Sequence, residues 1–207
     1  MGRIVELQHP LVAHHLKELR DKNTSPWVFR DQIRRLTVFL AHEATGTLPL
    51  QGDTVETPLT TTDCETLGCR VGLVPILRAG LGMCPAVLDL LPQAEVWHLG
   101  FYRDETTFSP VEYYRKFSDS PPDVALVLDP MLATGGSACE GIGMVKNWGV
   151  KKIALLCIIA APEGMAKVSD THPDIDIFTC SIDERLNDKA YIVPGLGDAG
   201  DRMFNTL

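Results

Sequence analysis

Val124-Ala-Leu-Val-Leu-Asp-Pro-Met-Leu-Ala-Thr-Gly-Gly-Ser-Ala138 decides how the chain reads. Five apolar residues, Val124 to Leu128, form a run too short for a helix and rich in β-formers, which predicts a buried strand. Asp129 stands where that strand ends. Thr134-Gly-Gly-Ser137 then opens a second apolar pattern through Cys139, Ile142, Met144 and Trp148. A strand, a carboxylate, a glycine turn and a helix start make an anion-binding arrangement. Free backbone N–H groups and the positive end of the helix dipole point into one hollow. Gly135 and Gly136 let the backbone close around a phosphate, and Thr134 and Ser137 add hydroxyl donors. A plain strand-to-helix turn with Ser137 as N-cap would use the same residues.

Two familiar phosphate loops do not match. No Lys follows the glycines, as the nucleotide-triphosphatase loop requires, and the Gly-x-Gly-x-x-Gly spacing of dinucleotide folds is missing.

The same logic recurs upstream. Val71-Gly-Leu-Val-Pro-Ile-Leu77 is an apolar strand, and Arg78-Ala-Gly-Leu-Gly82 follows it as a small-residue turn into a helix. A cation beside a helix N-terminus is electrostatically misplaced unless an anionic ligand joins it, so Arg78 is a candidate anion contact. Segments 95–101 and 111–117 are extended and joined by Asp104-Glu-Thr-Thr-Phe-Ser-Pro110, an arm with Arg103 near its tip. Lys152 to Ala160 is a nearly continuous apolar strand, buried on both faces. A helix starts at Ala161-Pro-Glu-Gly164, and Asp174 to Ile182 alternates like a sheet-edge strand. Strands separated by helical patterns predict right-handed crossovers and a mostly parallel sheet.

Before these strands, 11–22 and 26–46 read as helices, the second with Ser25 as N-cap, Pro26 as first residue and Gly46 at its end. Arg30, Arg34 and Arg35 lie off its apolar face and read as a solvated or ion-paired surface. Residues 48–63 read as irregular or short-stranded. The tail, Tyr191-Ile-Val-Pro-Gly-Leu-Gly-Asp-Ala-Gly-Asp-Arg202, combines glycines with apolar anchors at 191, 192, 193 and 196, which predicts a packed loop. Its backbone groups and carboxylates suit a planar heterocycle with amide edges.

Composition bounds the rest. The 207 residues, 45% of them apolar, suit one domain with a substantial core. A net charge of −8 argues against a nucleic-acid surface. No apolar run approaches the ~20 residues of a membrane span, and no signal-peptide core is present, so a cytoplasmic setting is expected. The six cysteines include no Cys-x-x-Cys pair and read as buried thiols rather than zinc ligands or disulfides. No protein-built metal cage is visible.

Asp129-Pro-Met-Leu-Ala-Thr-Gly-Gly-Ser137, Val74-Pro-Ile-Leu-Arg-Ala-Gly-Leu-Gly-Met83, Tyr102-Arg-Asp-Glu105 and Gly195-Leu-Gly-Asp-Ala-Gly-Asp201 together resemble the uracil phosphoribosyltransferase family. The likeness extends from His9-Pro-Leu-Val12 to Arg202-Met-Phe204. Pro130 departs from the paired acidic residues of the wider phosphoribosyltransferase superfamily but fits this subfamily. Cys84-Pro85, Thr106 and Ser109 depart from the family pattern. The resemblance implies an α/β fold of type I phosphoribosyltransferase kind: a mostly parallel twisted sheet flanked by helices. It implies one domain over 1–207, with a β-hairpin arm at 95–118 and a base-binding hood at 183–207. It implies transfer of phosphoribosyl from phosphoribosyl pyrophosphate (PRPP) to uracil, giving UMP and pyrophosphate.

On the family's pattern Arg78, Arg103 and Asp129 serve catalysis. PRPP is held by those three residues with Pro130, Met131, Leu132, Ala133, Thr134, Gly135, Gly136, Ser137 and Asp198, and uracil by Ile192, Gly197, Asp198 and Ala199. Magnesium arrives mainly on PRPP. The resemblance also implies a homodimer or higher homo-oligomer, and GTP is an activator of some members of the family. A regulator on the same fold, of the RNA-binding kind, is the rival reading; the acidic balance and the intact tail count against it.

Overall fold

A computed structural model describes residues 2–103 and 110–206, with the side chains at 102, 103 and 110 outside the description. Asp104 to Ser109, including the Thr106 and Ser109 departures, therefore lie outside the described residues. The chain begins with β1 (Ile4–Glu6), α1 (Pro10–Arg20) and α2 (Pro26–Thr45). Both helices carry proline in the first turn, where the missing N–H has no intrahelical acceptor to lose. α2 buries Phe29, Ile33, Leu36 and Leu40, a stripe at helical spacing, and is bounded by Ser25 and Gly46 as its sequence predicts.

Residues 48–63 are more regular than expected. β2 (Leu50–Glu56) and β3 (Thr61–Leu67) pair antiparallel from Leu50↔Leu67 to Glu56↔Thr61. Every residue of both strands is exposed. With neither face buried, no alternation of apolar and polar residues could announce the hairpin.

There follow β4 (Val71–Leu77), a 3-10 turn (Ala79–Gly82), α3 (Cys84–Leu90), β5 (Glu95–Val96), β6 (Leu99–Arg103), β7 (Pro110–Arg115), β8 (Val124–Leu128) and β9 (Met131–Leu132). The last part holds α4 (Gly136–Trp148), β10 (Lys152–Ala160), α5 (Pro162–Thr171), β11 (Asp176–Ile182), β12 (Arg185–Leu186), β13 (Ile192–Val193) and α6 (Ala199–Phe204). The main sheet runs β1-β11-β10-β8-β4-β6-β7, with β5 beside β4 and β9 beside β10. All its pairings are parallel except β6 with β7. β8 is buried throughout, as are β10 after Lys152 and β4 before Leu77, as expected of parallel strands covered on both faces. One apolar layer joins α1, α2, α3 and α6 to the sheet, and the other joins α4 and α5.

β11 is not the edge strand that its alternation predicts. β1 lies outside it, pairing Ile4 with Ile177, and Arg3 holds Asp176 at 2.9 Å. Three residues are too few to show a period, so β1 has no sequence signature of its own. The tail likewise gains a short helix, α6, where a loop is expected.

Topology fixes the position of the site. From β4 the chain moves outward to β6 and β7, returns to β8 on the other side of β4, and proceeds to β10 and β11 in the opposite direction. β4 and β8 are thus neighbours where the winding reverses. In an open parallel sheet the crevice beyond the carboxyl ends of such strands is where ligands bind. Arg78 and Asp129 are the residues that follow those two ends.

Candidate active site

The loop after β8 is held from beneath. The Asp129 N–H donates to the Leu156 carbonyl, and the Pro130 carbonyl accepts from Ile158 and Ile159, so the backbone stays in the sheet through β9. The chain then turns. Gly135 adopts φ +76° and stands as N-cap of α4, which places Ser137 inside the helix rather than at its cap. A Cβ at Gly135 would also come within 2.9 Å of the Gly164 carbonyl, and one at Gly164 would overlap the Ala133 carbonyl. Glycines on two elements therefore let the loop lie against the start of α5. Gly135 offers no side chain to cap α4; the Gly136 N–H donates weakly to Thr134 Oγ1 at 3.5 Å, and among the described residues the Ser137 and Ala138 amides keep free N–H groups. They border a hollow of about 120 Å³ lined by Asp129 and Met131 to Ala138.

Asp129 is the carboxylate of that hollow. Part of its surface opens to the hollow, while the rest of the side chain is enclosed by protein. Burial pushes its pKa up to about 7, against the opposing effect of the Met131 N–H, which donates to Oδ1 at 3.2 Å. Near neutral pH it is therefore poised between charged and neutral forms.

Arg78 follows β4 through a cis Leu77–Arg78 peptide and leads into the 3-10 turn. Gly80 packs so closely on the Leu128 carbonyl that a Cβ would overlap it, which docks the Arg78 turn onto the end of β8. The guanidinium is exposed. It donates to Asp201 Oδ1 at 2.8 Å and to Thr206 Oγ1 at 3.4 Å.

The tail reaches the same place. Ile192, Leu196, Ala199 and Met203 are buried in the core layer of α1 and α2. Gly82 leaves no room for a Cβ beside Met203, and a Cβ at Gly200 would lie 3.7 Å from Arg78 Nη2. Asp198 caps α6, its Oδ1 accepting from the Asp201 N–H at 2.9 Å. Gly195 and Gly197 have φ of +63° and +79°, so the turn between β13 and α6 needs glycine twice.

This convergence of two strand ends and a folded tail can be set beside known proteins. The family model for uracil phosphoribosyltransferase matches residues 5–206. The chain belongs to the uracil phosphoribosyltransferase family. It is 53% identical over 210 residues to a protein of Roseiflexus sp. (strain RS-1) named uracil phosphoribosyltransferase, each chain being covered in full. Among solved structures it is similar to the AQ2163 protein of Aquifex aeolicus, with a TM-score of 0.94, 36% identity and 98% of each chain covered. An adenine phosphoribosyltransferase from Rhodothermus marinus has a TM-score of 0.52 at 15% identity, covering 73% of this chain and 80% of its own; that likeness concerns the fold alone.

Of the residues nominated on the uracil phosphoribosyltransferase pattern, the structure gathers Asp129 and Met131 to Ser137 around the hollow, and joins Arg78 to the tail through Asp201. Pro130 and Leu132 are buried and bond to β10 through their backbone. Arg103 closes β6 opposite Pro110, and its side chain lies outside the described residues. Sequence reading missed four residues that position the tail. Arg20, partly buried, and Asp183, buried, form an ion pair against Gly195. Arg202 donates to the Leu19, Leu196 and Asp21 carbonyls and lies 4.4 Å over the Phe29 ring. Arg30, read as a surface residue, donates to the Met203 carbonyl at 2.7 Å, whereas Arg34 and Arg35 pair with Asp89 and Asp31 as expected. The only sequence signal for these contacts is an arginine near apolar positions, which does not name its partner.

A larger cavity, about 320 Å³, lies at the other end of β4 among Cys69, Arg70, Leu91 and Glu95. Arg70 is already held there by Glu95 at 2.6 Å. Size points to that cavity, but the free amides at the start of α4 and the strand topology favour the smaller hollow.

Proposed function

We propose that the protein transfers the 5-phosphoribosyl group of PRPP to uracil, releasing pyrophosphate and forming UMP. The observation that supports this most is the meeting of three parts: the Asp129 hollow with its free helix amides, the Arg78 turn on the end of β8, and the tail folded over Arg78.

In this reading the free amides of Ser137 and Ala138, with the Thr134 and Ser137 hydroxyls, hold the 5′-phosphate, and the Gly136 N–H turns to it from its long contact with Thr134. Asp129 faces the ribose hydroxyls. Arg78 and Arg103 hold the pyrophosphate, and Asp198 borders both substrates. As the bond from C1 to pyrophosphate lengthens, positive charge grows on the sugar, as in glycoside cleavage, and negative charge on the leaving group. The base N1 then bonds to C1 as the C1–O bond to pyrophosphate breaks, and the N1 proton passes to solvent water. Asp129 in its charged form favours the cationic sugar, and the two arginines favour the anion. Positioning and electrostatics do the work, without a covalent nucleophile.

Magnesium fits this site as a passenger of PRPP. Asp129 is the carboxylate lining the hollow, while Asp198 and Asp201 are already engaged. With few free carboxylates, the ion would be held mainly by substrate oxygens and water, where it would neutralise charge on the departing pyrophosphate. A homodimer or higher homo-oligomer, activation by GTP and a cytoplasmic setting complete the reading on the family's pattern.

The test is release of UMP and pyrophosphate from uracil, PRPP and magnesium, measured with and without GTP. Calorimetry should detect binding of PRPP but not of ATP. No UMP under any of these conditions would overturn the reading.

A further inference from the structure

Asp183 is 6% exposed and receives four hydrogen bonds. Arg20 Nη1 and Nη2 donate to its two oxygens at 2.7 and 2.5 Å, Ser181 Oγ donates at 3.0 Å, and the Gly195 N–H donates at 2.8 Å. Arg20 Nη1 also donates to the Gly195 carbonyl at 2.9 Å, and its Nη2 donates to Ser181 Oγ at 3.2 Å. One largely buried ion pair, its Arg20 side chain 24% exposed, thus holds Gly195 by both its backbone N–H and its C=O.

A largely buried pair of this kind is weak evidence for stability, because desolvation offsets most of its attraction. Its geometry points to another use. Gly195 has φ +63° and packs against the Ile192 carbonyl so tightly that a Cβ would overlap it. The turn from 192 to 199 has few amide or hydroxyl side chains and must read a base edge mainly through its backbone. The accuracy of such reading depends on where the backbone is held.

We infer that Arg20 and Asp183 are positioning residues that set the base-reading turn through Gly195, so that they govern selection of the base and not the binding of PRPP. The inference rests on the uracil-transfer reading given above. It assigns Ser181 the supporting role of completing the shell around both charges.

The test uses the full-length protein and the variants Arg20→Lys, Asp183→Asn and Ser181→Ala. Arg20→Lys keeps the charge but loses the two-pronged contact. KM for uracil and for PRPP is measured separately at saturating partner substrate, with thermal unfolding as the check on folding. KM for uracil should rise about tenfold in the first two variants, and the preference for uracil over cytosine should fall, while KM for PRPP stays within about twofold. Should either charged variant fail to fold, Ser181→Ala carries the same prediction with a rise of about threefold. An unchanged KM for uracil in a folded variant, or an equal rise for both substrates, overturns the inference. Absence of uracil turnover in the unaltered protein overturns the functional reading and this inference with it.

Discussion

Arg78 Nη2 and Asp201 Oδ1 lie 2.8 Å apart although 123 residues separate them in the chain. Both are substantially exposed, with side-chain accessibilities of 57% and 32%, so the pair adds little to stability. On the proposed reading its effect is on the ligand: the arginine assigned to an anionic substrate already has an anionic partner. The Thr206 hydroxyl and then the Arg78 guanidinium hold the Asp201 pKa below the ordinary range, so the competing charge persists at neutral pH.

Asp201→Asn should therefore tighten pyrophosphate and PRPP binding by about two- to fivefold, since a neutral amide competes less for the guanidinium. Arg78→Ala should weaken PRPP binding by about 2–3 kcal/mol while the sheet stays folded. Calorimetric titration of both variants tests the pair. Unchanged affinity in Arg78→Ala would remove that residue from the site.

Asp129 predicts a pH dependence with a definite sign. Its folded-state pKa of about 7 lies above the ordinary carboxylate value of 3.8, so the native state keeps a proton that the unfolded chain has shed. Stability contributed by that proton is full below about pH 4 and is lost as pH rises through about 7. Asp129→Asn carries no such proton and should gain about 2–4 kcal/mol over the unaltered protein at pH 8 relative to pH 4. Its turnover should fall more than its PRPP binding, because the charge matters most as the sugar becomes cationic. Melting curves at the two pH values and a kcat–KM comparison decide both points.

Gly164 offers a test at one remove. It does not line the hollow, yet a Cβ there would overlap the Ala133 carbonyl. Gly164→Ala should push the loop out of place and raise KM for PRPP at least about tenfold, with KM for uracil less affected. Gly135→Ala, strained by φ +76° as well as crowded, should be the more damaging of the two. A normal KM for PRPP in Gly164→Ala would show that the loop tolerates the displacement.

Base selection should depend on backbone more than on side chains. Ile192→Val should keep the preference for uracil nearly intact. Gly197→Pro removes an N–H and demands φ near −65° where the chain has +79°, so uracil use should collapse. The unaltered protein should favour uracil over cytosine by about 10⁴-fold or more, because cytosine leaves buried groups facing wrong partners. Comparable rates with the two bases would refute backbone reading.

The sequence disclosed the parts whose physics is local. The apolar runs at 71–77, 124–128 and 152–160 are nearly the observed strands, because burial on both faces leaves no polar residue to blur them. The glycine turn after Asp129 was visible for the same reason: it needs glycine itself. What stayed hidden depends on distant partners. β1 is a strand only because β11 offers an edge, and the β2–β3 hairpin buries no face that could impose a pattern. Asp183 and Arg202 look like surface charges until the fold brings Arg20 and the Leu19 carbonyl to them.

Those late contacts bear on the order in which the molecule can assemble. Arg20 meets Asp183 across 163 residues, Arg30 meets Met203 across 173, and Arg202 meets Leu19 across 183. The strands that carry Arg78 and Asp129 can associate well before any of these closures, because their own register needs nothing from the tail. Contacts of such long range form slowly, since the chain loses much loop entropy before they return any stability. On the proposed reading, the hollow assigned to phosphate is therefore expected to form early in folding and the turn assigned to the base late. During synthesis, a chain emerging from the ribosome would then be expected to hold the first before it owns the second.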